Sequence, residues 1–134
     1  MRLQVAFLGA EASYRFVSAF HQLRFDTPLD WTPSDRLNSR MITWNTASYE
    51  EFPQARWVDK EVDQCYKDTA CTAVYIYSSE PSWDEMPQNG FEPRNWYSLF
   101  FNGSAPTERD FIRRPIDVRY TIKDAAVYIK RWRH

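Results

Sequence analysis

The chain has 134 residues, of which 43% are hydrophobic and 17% aromatic. One folded domain spanning residues 1–134 is therefore expected, and a disordered chain is excluded. The formal net charge of −1 points to neither nucleic acid nor a membrane surface. No apolar run approaches the roughly 20 residues of a membrane-spanning helix, so no membrane partner is expected.

The first third of the chain predicts two strands separated by a helix and a loop. Residues 2–8 are rich in β-branched and aromatic side chains, which favours a strand. Apolar residues then recur at helical spacing, which predicts a helix over about residues 10–24. Two prolines and several Asp, Ser and Asn residues predict a loop over 26–39. The alternating pattern of residues 40–45 predicts the second strand.

A second helix is expected to begin at Pro53, because the missing N–H of proline costs nothing in a first helical turn. It runs to about residue 68. Its apolar stripe defines the inner face, which comprises Trp57, Val58, Glu61, Val62, Cys65 and Tyr66.

The last half of the chain predicts a run of strands. Residues 71–78 are almost continuously apolar, which is typical of a central strand. A proline-punctuated loop over 79–94 separates it from a strand over 95–101. Asn102-Gly103 predicts a turn, and the alternation in 116–122 predicts a half-exposed strand.

The closing residues 123–134 predict a helix capped by Thr121 and Asp124, with a strand over 126–132 as the alternative. The resulting order, β-α-β-α-β-β-β-α, indicates the α+β class. We expect a single two-layer domain with a mixed, mostly antiparallel sheet of about five strands and two to three helices packed on it.

The two cysteines, Cys65 and Cys71, are predicted to be free thiols in a reducing cytoplasm, with one disulfide as the alternative in a secreted protein. The first residues faintly resemble a signal peptide, but Gln4 interrupts the short apolar run. A cytoplasmic location is therefore the prediction.

No catalytic, cofactor-binding or metal-binding residue is predicted, and no cofactor is expected. The sequence contains two histidines and no spacing typical of zinc or calcium ligands. Its three glycines are isolated, so they do not form a phosphate-binding loop. An enzyme with an unfamiliar acid–base site around Glu11, His21 or Glu61 stays open as one alternative.

Protein binding is the favoured function, in the manner of a small inhibitor or immunity-type module. Trp, Tyr and Arg are enriched at interface hot spots, and stiff loops lose little entropy on binding. The candidate protein-binding residues lie in or beside the proline-stiffened loops: Trp31, Trp83, Asp84, Glu85, Phe91 and Arg94. The alternative to a binding role is that these aromatic rings pack onto the protein's own core. A homo-oligomer is compatible with either.

Nucleic-acid binding is the second alternative, because the C-terminal part interleaves basic and aromatic residues. Its candidate residues are Arg113, Arg114, Arg119, Lys130, Arg131 and Arg133. The acidic middle of the chain, residues 45–92, would oppose binding to a polyanion.

Overall fold

The computed structural model describes residues 19–80, 94–115 and 121–131. Several predicted elements therefore lie outside the described residues: the strand over 2–8, most of the helix over 10–24, most of the loop over 79–94 and most of the strand over 116–122.

The described residues form a five-stranded antiparallel sheet, a small two-stranded sheet and two α-helices, which confirms the α+β class. The large sheet has the strand order β1-β7-β4-β5-β3, and the small one pairs β2 with β6. The elements are β1 (Phe20–Gln22), β2 (Thr32–Pro33), α1 (Asp35–Asn38), β3 (Met41–Ser48), α2 (Gln54–Lys67), β4 (Ala73–Ser79), β5 (Asn95–Phe101), a 3-10 helix (Glu108–Asp110), β6 (Phe111–Ile112) and β7 (Lys123–Lys130).

Helix α2 follows the prediction closely. Pro53 precedes its first residue with an extended backbone, and Lys67 occupies its last turn, where a cation is favoured by the helix dipole. Its buried side chains are those of the predicted inner face, with one exception. Tyr66, at the margin of the apolar stripe, is 43% exposed.

Both faces of the central strand β4 are covered. On one face α2 packs over Val74 and Ile76 in a core that includes Trp57 and Trp96. On the other face Tyr75 packs in a second core built partly from the connecting segments. A strand buried on both faces has an almost continuous apolar sequence, and this is why β4 was predicted correctly.

Two predicted helical segments are strands instead. Residues 20–22 form β1, which pairs with β7, and residues 123–130 form β7, which pairs with both β1 and β4. The helix predicted for the closing segment was wrong, and its strand alternative was closer. Ala126 and Val127 both lie in cores, on opposite faces of β7, so the strand lacks the alternation that would separate it from a buried helix.

The two cysteines form a disulfide, with Cα atoms 5.3 Å apart, so the favoured prediction of free thiols was wrong. Cys65 lies in the last turn of α2 and Cys71 lies just before β4, and both are fully buried. The short connection between helix and strand brings them together, and the bond fastens α2 to the centre of the sheet.

Candidate functional site

The face of the sheet opposite α2 is only partly covered. Leu23, Leu37 and Phe111 come from segments outside the central strands and pack over Tyr75 of β4 and Val127 of β7. The small β2–β6 sheet and α1 lie on this side of the large sheet and provide part of this cover. The covered part is a second hydrophobic core, and among the described residues it includes no side chain of β3.

Exposure of the side chains on this face increases towards β3. Tyr75 is 1% exposed, Tyr77, Tyr97 and Leu99 are half-buried, and Trp44 on β3 is 57% exposed. We call the surface formed by five neighbouring side chains the open aromatic face. Its members are Trp44, Thr46, Tyr77, Tyr97 and Leu99. Exposed tryptophan of this extent, contiguous with other apolar side chains, is typical of an interaction surface.

Cross-strand pairing holds these side chains in one layer. Trp44 lies opposite Leu99 and Thr46 lies opposite Tyr97, while Tyr77 lies opposite Tyr97 on the other side of β5. The Tyr77 and Tyr97 rings stack with centroids 5.1 Å apart. The rings therefore form a platform whose shape is set by the sheet and not by a loop.

Burial and the neighbouring Tyr97 raise the pKa of Tyr77 to about 12. Burial is the larger cause, since it disfavours the charged phenolate. Tyr77 is therefore a neutral hydroxyl at physiological pH. The open aromatic face therefore offers apolar surface together with hydroxyl groups that can form hydrogen bonds.

Strand β3 is at one edge of the sheet among the strands that the structure describes. The backbone N–H of Tyr49 donates to the carbonyl oxygen of Arg94 at 2.9 Å, and residues 49 and 94 continue the β3–β5 register. Since backbone groups alternate along a strand, Asn45 and Ala47 direct theirs towards β5. The N–H and C=O groups of Trp44, Thr46 and Ser48 therefore point to the outer edge.

The opposite side of β3 is fixed to α2 by a buried polar cluster. The carboxylate of Glu61, fully buried, accepts hydrogen bonds from Asn45 Nδ2 at 2.8 Å, from Ser98 Oγ and from Lys60 Nζ at 3.0 Å. A satisfied buried network of this kind holds its strands rigidly. The outer edge and the open aromatic face are thus presented on a fixed strand.

Two of the predicted protein-binding residues bond to their own chain. Trp31 donates from Nε1 to the Asp26 carbonyl at 2.9 Å, and the guanidinium of Arg113 lies 4.3 Å from its ring centroid. Arg94 donates to Ser78 Oγ at 2.9 Å and to the carbonyl of Thr121. Arg94 thus joins β4 to the segment before β7.

The other four predicted protein-binding residues lie outside the described residues. They are Trp83, Asp84, Glu85 and Phe91. Their role in binding stays a prediction.

The predicted nucleic-acid-binding residues are spread over several parts of the fold. Arg113 pairs with Asp30 at 3.0 Å and Arg114 with Asp35 at 2.9 Å. Lys130 donates to the Asp68 carbonyl at 3.0 Å, and burial lowers its pKa despite the opposing effect of Asp68. Arg131 is exposed, whereas Arg119 and Arg133 lie outside the described residues.

Two of the three residues named for an enzymatic alternative lie within the described residues, on separate elements. Glu11 lies outside the described residues, His21 is exposed on β1, and Glu61 is enclosed by its hydrogen-bond partners. Within residues 19–80, 94–115 and 121–131 there is no group of three His, Cys, Asp or Glu side chains arranged to hold a metal ion. A search of the same residues finds no helix long and apolar enough to cross a membrane.

Sequence reasoning missed the open aromatic face because the alternation predicted for residues 40–45 defines two faces of a strand without telling which of them meets α2. The polar Asn45 faces α2, because Glu61 provides a buried acceptor for its amide. A buried glutamate on the helix was the one signal that a polar partner was required there.

No protein-family model, curated protein or solved structure matches the chain.

Proposed function

We propose that the chain is a protein-binding module that holds its partner on the open aromatic face and the adjoining edge of β3. The observation that supports this most directly is Trp44, which is 57% exposed in the middle of a rigid edge strand. Tryptophan is the residue type most enriched among interface hot spots. A partner that covers it would remove a large apolar surface from water without requiring the strand to reorganise.

The chemistry of the surface favours protein over nucleic acid. The open aromatic face has no basic residue among Trp44, Thr46, Tyr77, Tyr97 and Leu99, whereas nucleic-acid binding depends on lysine and arginine contacts to phosphate. Three of the arginine and lysine side chains predicted for that role bond to oxygen atoms of their own chain. An inhibitor or immunity-type role is the finer form of the hypothesis, with the partner protein as the target.

The test is affinity capture from a nuclease-treated extract of the native host with three immobilised proteins: wild type, Trp44→Ala and Tyr66→Ala. Tyr66 is a matched control because it is an exposed aromatic residue that lies on α2 and not on the open aromatic face. Loss of a hot-spot tryptophan weakens binding by about thirtyfold. A protein retained by wild type and Tyr66→Ala but lost by Trp44→Ala is expected, whereas equal capture by all three would refute the proposed surface.

A fourth variant tests the loop prediction separately. Trp83, Asp84, Glu85 and Phe91 are replaced together by alanine in a protein whose circular dichroism matches that of wild type. Loss of capture by this variant, with Trp44→Ala unaffected, would move the binding surface from the sheet to the loop. Loss by both variants would show that the partner spans the two regions.

The cytoplasmic location stays a prediction, and the disulfide bears on it directly. A buried disulfide is typical of proteins that fold in an oxidising compartment. Thiol alkylation in intact host cells, followed by mass spectrometry, distinguishes the two locations. Alkylated Cys65 and Cys71 in the cytoplasmic fraction would support the prediction, and fully bridged protein outside that fraction would contradict it.

A further inference from the structure

We propose that β3 pairs antiparallel with β3 of a second copy of this chain, so that the two large sheets become continuous across a two-fold axis. The inference names a second copy as the partner that binds the surface of the proposed function. It rests on the proposed function, because both require the outer edge of β3 to be accessible. It is carried by the backbone, the composition and the flanking charges of this strand.

The backbone of β3 has the hydrogen-bonding groups that a further strand requires. The N–H and C=O groups of Trp44, Thr46 and Ser48 point to the outer edge, as the β3–β5 register dictates. A further strand that pairs with this edge would form hydrogen bonds with these N–H and C=O groups. The opposite edge of the sheet is less suitable, because β1 is only three residues long.

Strand β3 lacks the features that normally prevent such pairing. Edge strands are commonly protected by lysine, proline, short length or bulges. Residues 41–48 include no charged residue and no proline over eight residues. A register irregularity is present, but it lies between Met41 and Thr43, so the part from Trp44 to Ser48 is regular.

The charges that flank β3 favour a second copy over an arbitrary strand. Arg40, whose Nη1 donates to the Ser104 carbonyl at 2.8 Å, precedes the strand, and Glu50 and Glu51 follow it. Antiparallel pairing of two copies places the basic start of each strand beside the acidic end of the other. The interface is therefore complementary in charge, while the strand itself brings no like charges together.

The side chains also fit a two-fold axis near the middle of β3. An axis through Asn45 sets Trp44 opposite Thr46 of the second copy, and it places the two Trp44 side chains diagonally about 7–8 Å apart, within reach of aromatic rings. Their exposed surface is then removed from water. Helix α2 packs against β4 and β5, and among the described strands the outer edge of β3 has no neighbour.

The test compares three proteins by sedimentation over a concentration series: wild type, Thr46→Pro and Thr46→Val. Proline at this position removes an outward N–H and adds bulk at the edge, while the inward hydrogen bonds of Asn45 and Ala47 remain. Valine keeps the N–H, and both variants lose the 2.9 Å hydrogen bond from Thr46 Oγ1 to the Trp96 carbonyl. We expect twice the mass of one chain for wild type and Thr46→Val and a single chain for Thr46→Pro.

A wild-type protein that sediments as a single chain at every concentration would overturn the inference, and so would a Thr46→Pro protein that still dimerises. If Thr46→Pro does not fold, amide hydrogen exchange of the wild type decides. The amides of Trp44, Thr46 and Ser48 should gain protection as concentration rises, while those of Asn45 and Ala47 are protected throughout. Concentration-independent exchange at the three outward amides would refute the pairing.

The failure of this inference is distinguishable from the failure of the proposed function. A wild type that stays a single chain but captures a different protein through Trp44 would leave the proposed function standing. A dimer that captures nothing else would identify the second copy as the partner of this surface.

Discussion

The two faces of strands β3 and β5 differ in what completes them. On the side of α2, Asn45, Trp96 and Ser98 contact the helix, and the carboxylate of Glu61 joins the strands to it. On the other side, Trp44, Tyr97 and Leu99 lie beyond the segments that cover β4 and β7. Within the part of the chain that the structure describes, the same pair of strands therefore has one face closed by α2 and one face left open.

This difference shows that burial, and not residue type, separates the aromatic residues that stabilise the fold from those that a partner could reach. Trp96 and Trp44 are on adjacent strands, yet Trp96 is 1% exposed and Trp44 is 57% exposed. Stability should reside in the closed face and recognition in the open one. Substitutions on the two sides are expected to separate these properties.

The largest expected effect is on the closed face. Trp96→Ala removes a buried ring that stacks on Tyr49 at 4.8 Å and donates from Nε1 to the Phe52 carbonyl at 2.8 Å. The free energy of unfolding should fall by about 4 kcal/mol. Trp44→Ala is the matched change and should alter it by no more than about 0.5 kcal/mol. Urea unfolding of both variants measures the contrast, and equal losses would contradict it.

The next effect tests the polar cluster beneath β3. Glu61→Gln keeps the size of the side chain but replaces an acceptor oxygen by a donor amide opposite Asn45 and Ser98. Loss of hydrogen bonds to a buried charge should lower the free energy of unfolding by about 3 kcal/mol. The same substitution at the exposed Glu51 is the control and should be almost neutral. If Glu61→Gln is as stable as Glu51→Gln, the cluster does not hold β3.

A third change removes the covalent connection on the closed side. Replacing Cys65 and Cys71 together by alanine opens a short loop between α2 and β4, which should cost about 2 kcal/mol of stability. Dimerisation and capture through Trp44 should be unchanged once the variant is folded, because the disulfide lies on the other side of the sheet. Urea unfolding measures the first effect and sedimentation the second. A folded variant that no longer dimerises would show that the two faces are coupled.

Much of the fold was predictable because local patterns and tertiary contacts agree in α2, β4 and β5. The apolar stripe of α2 faces a core, and the continuous apolar run of β4 reflects its central position. Agreement fails at β1 and β7, where strand pairing overrides a helical pattern. In β7 both faces are buried, so its sequence lacks the alternation that identifies a strand.

The candidate site was less predictable, since it depends on which face of β3 is covered. The alternation around Trp44 defines two faces but does not say which of them meets α2. That choice is set by the pairing of Asn45 with Glu61, two residues 16 positions apart in sequence. The aromatic residues predicted in loops were selected by type, and Trp31 shows that a loop tryptophan with Tyr- and Arg-rich surroundings can be fixed to its own chain.

The smallest expected effect is a loss of stability at alkaline pH. It arises from Tyr77, which lies between the covered and the open parts of the sheet face opposite α2. Burial raises the pKa of Tyr77 to about 12, above the value of about 10 for an unfolded chain. The stability that the neutral phenol provides is fully present below pH 10 and is lost as pH rises through 12, because only the unfolded state ionises within that window. At about pH 11 the loss should be about 1 kcal/mol.

Tyr77→Phe tests this, because it keeps the ring stacked on Tyr97 and removes the ionisable hydroxyl. The variant should match wild type in urea unfolding at neutral pH and should be the more stable of the two at about pH 11. Burial also raises the pKa of Tyr75, whose hydroxyl donates to the Trp31 carbonyl at 2.7 Å, so part of the alkaline loss should persist in the variant. An unchanged alkaline loss in Tyr77→Phe would show that this ring belongs to the solvated, open part of the surface.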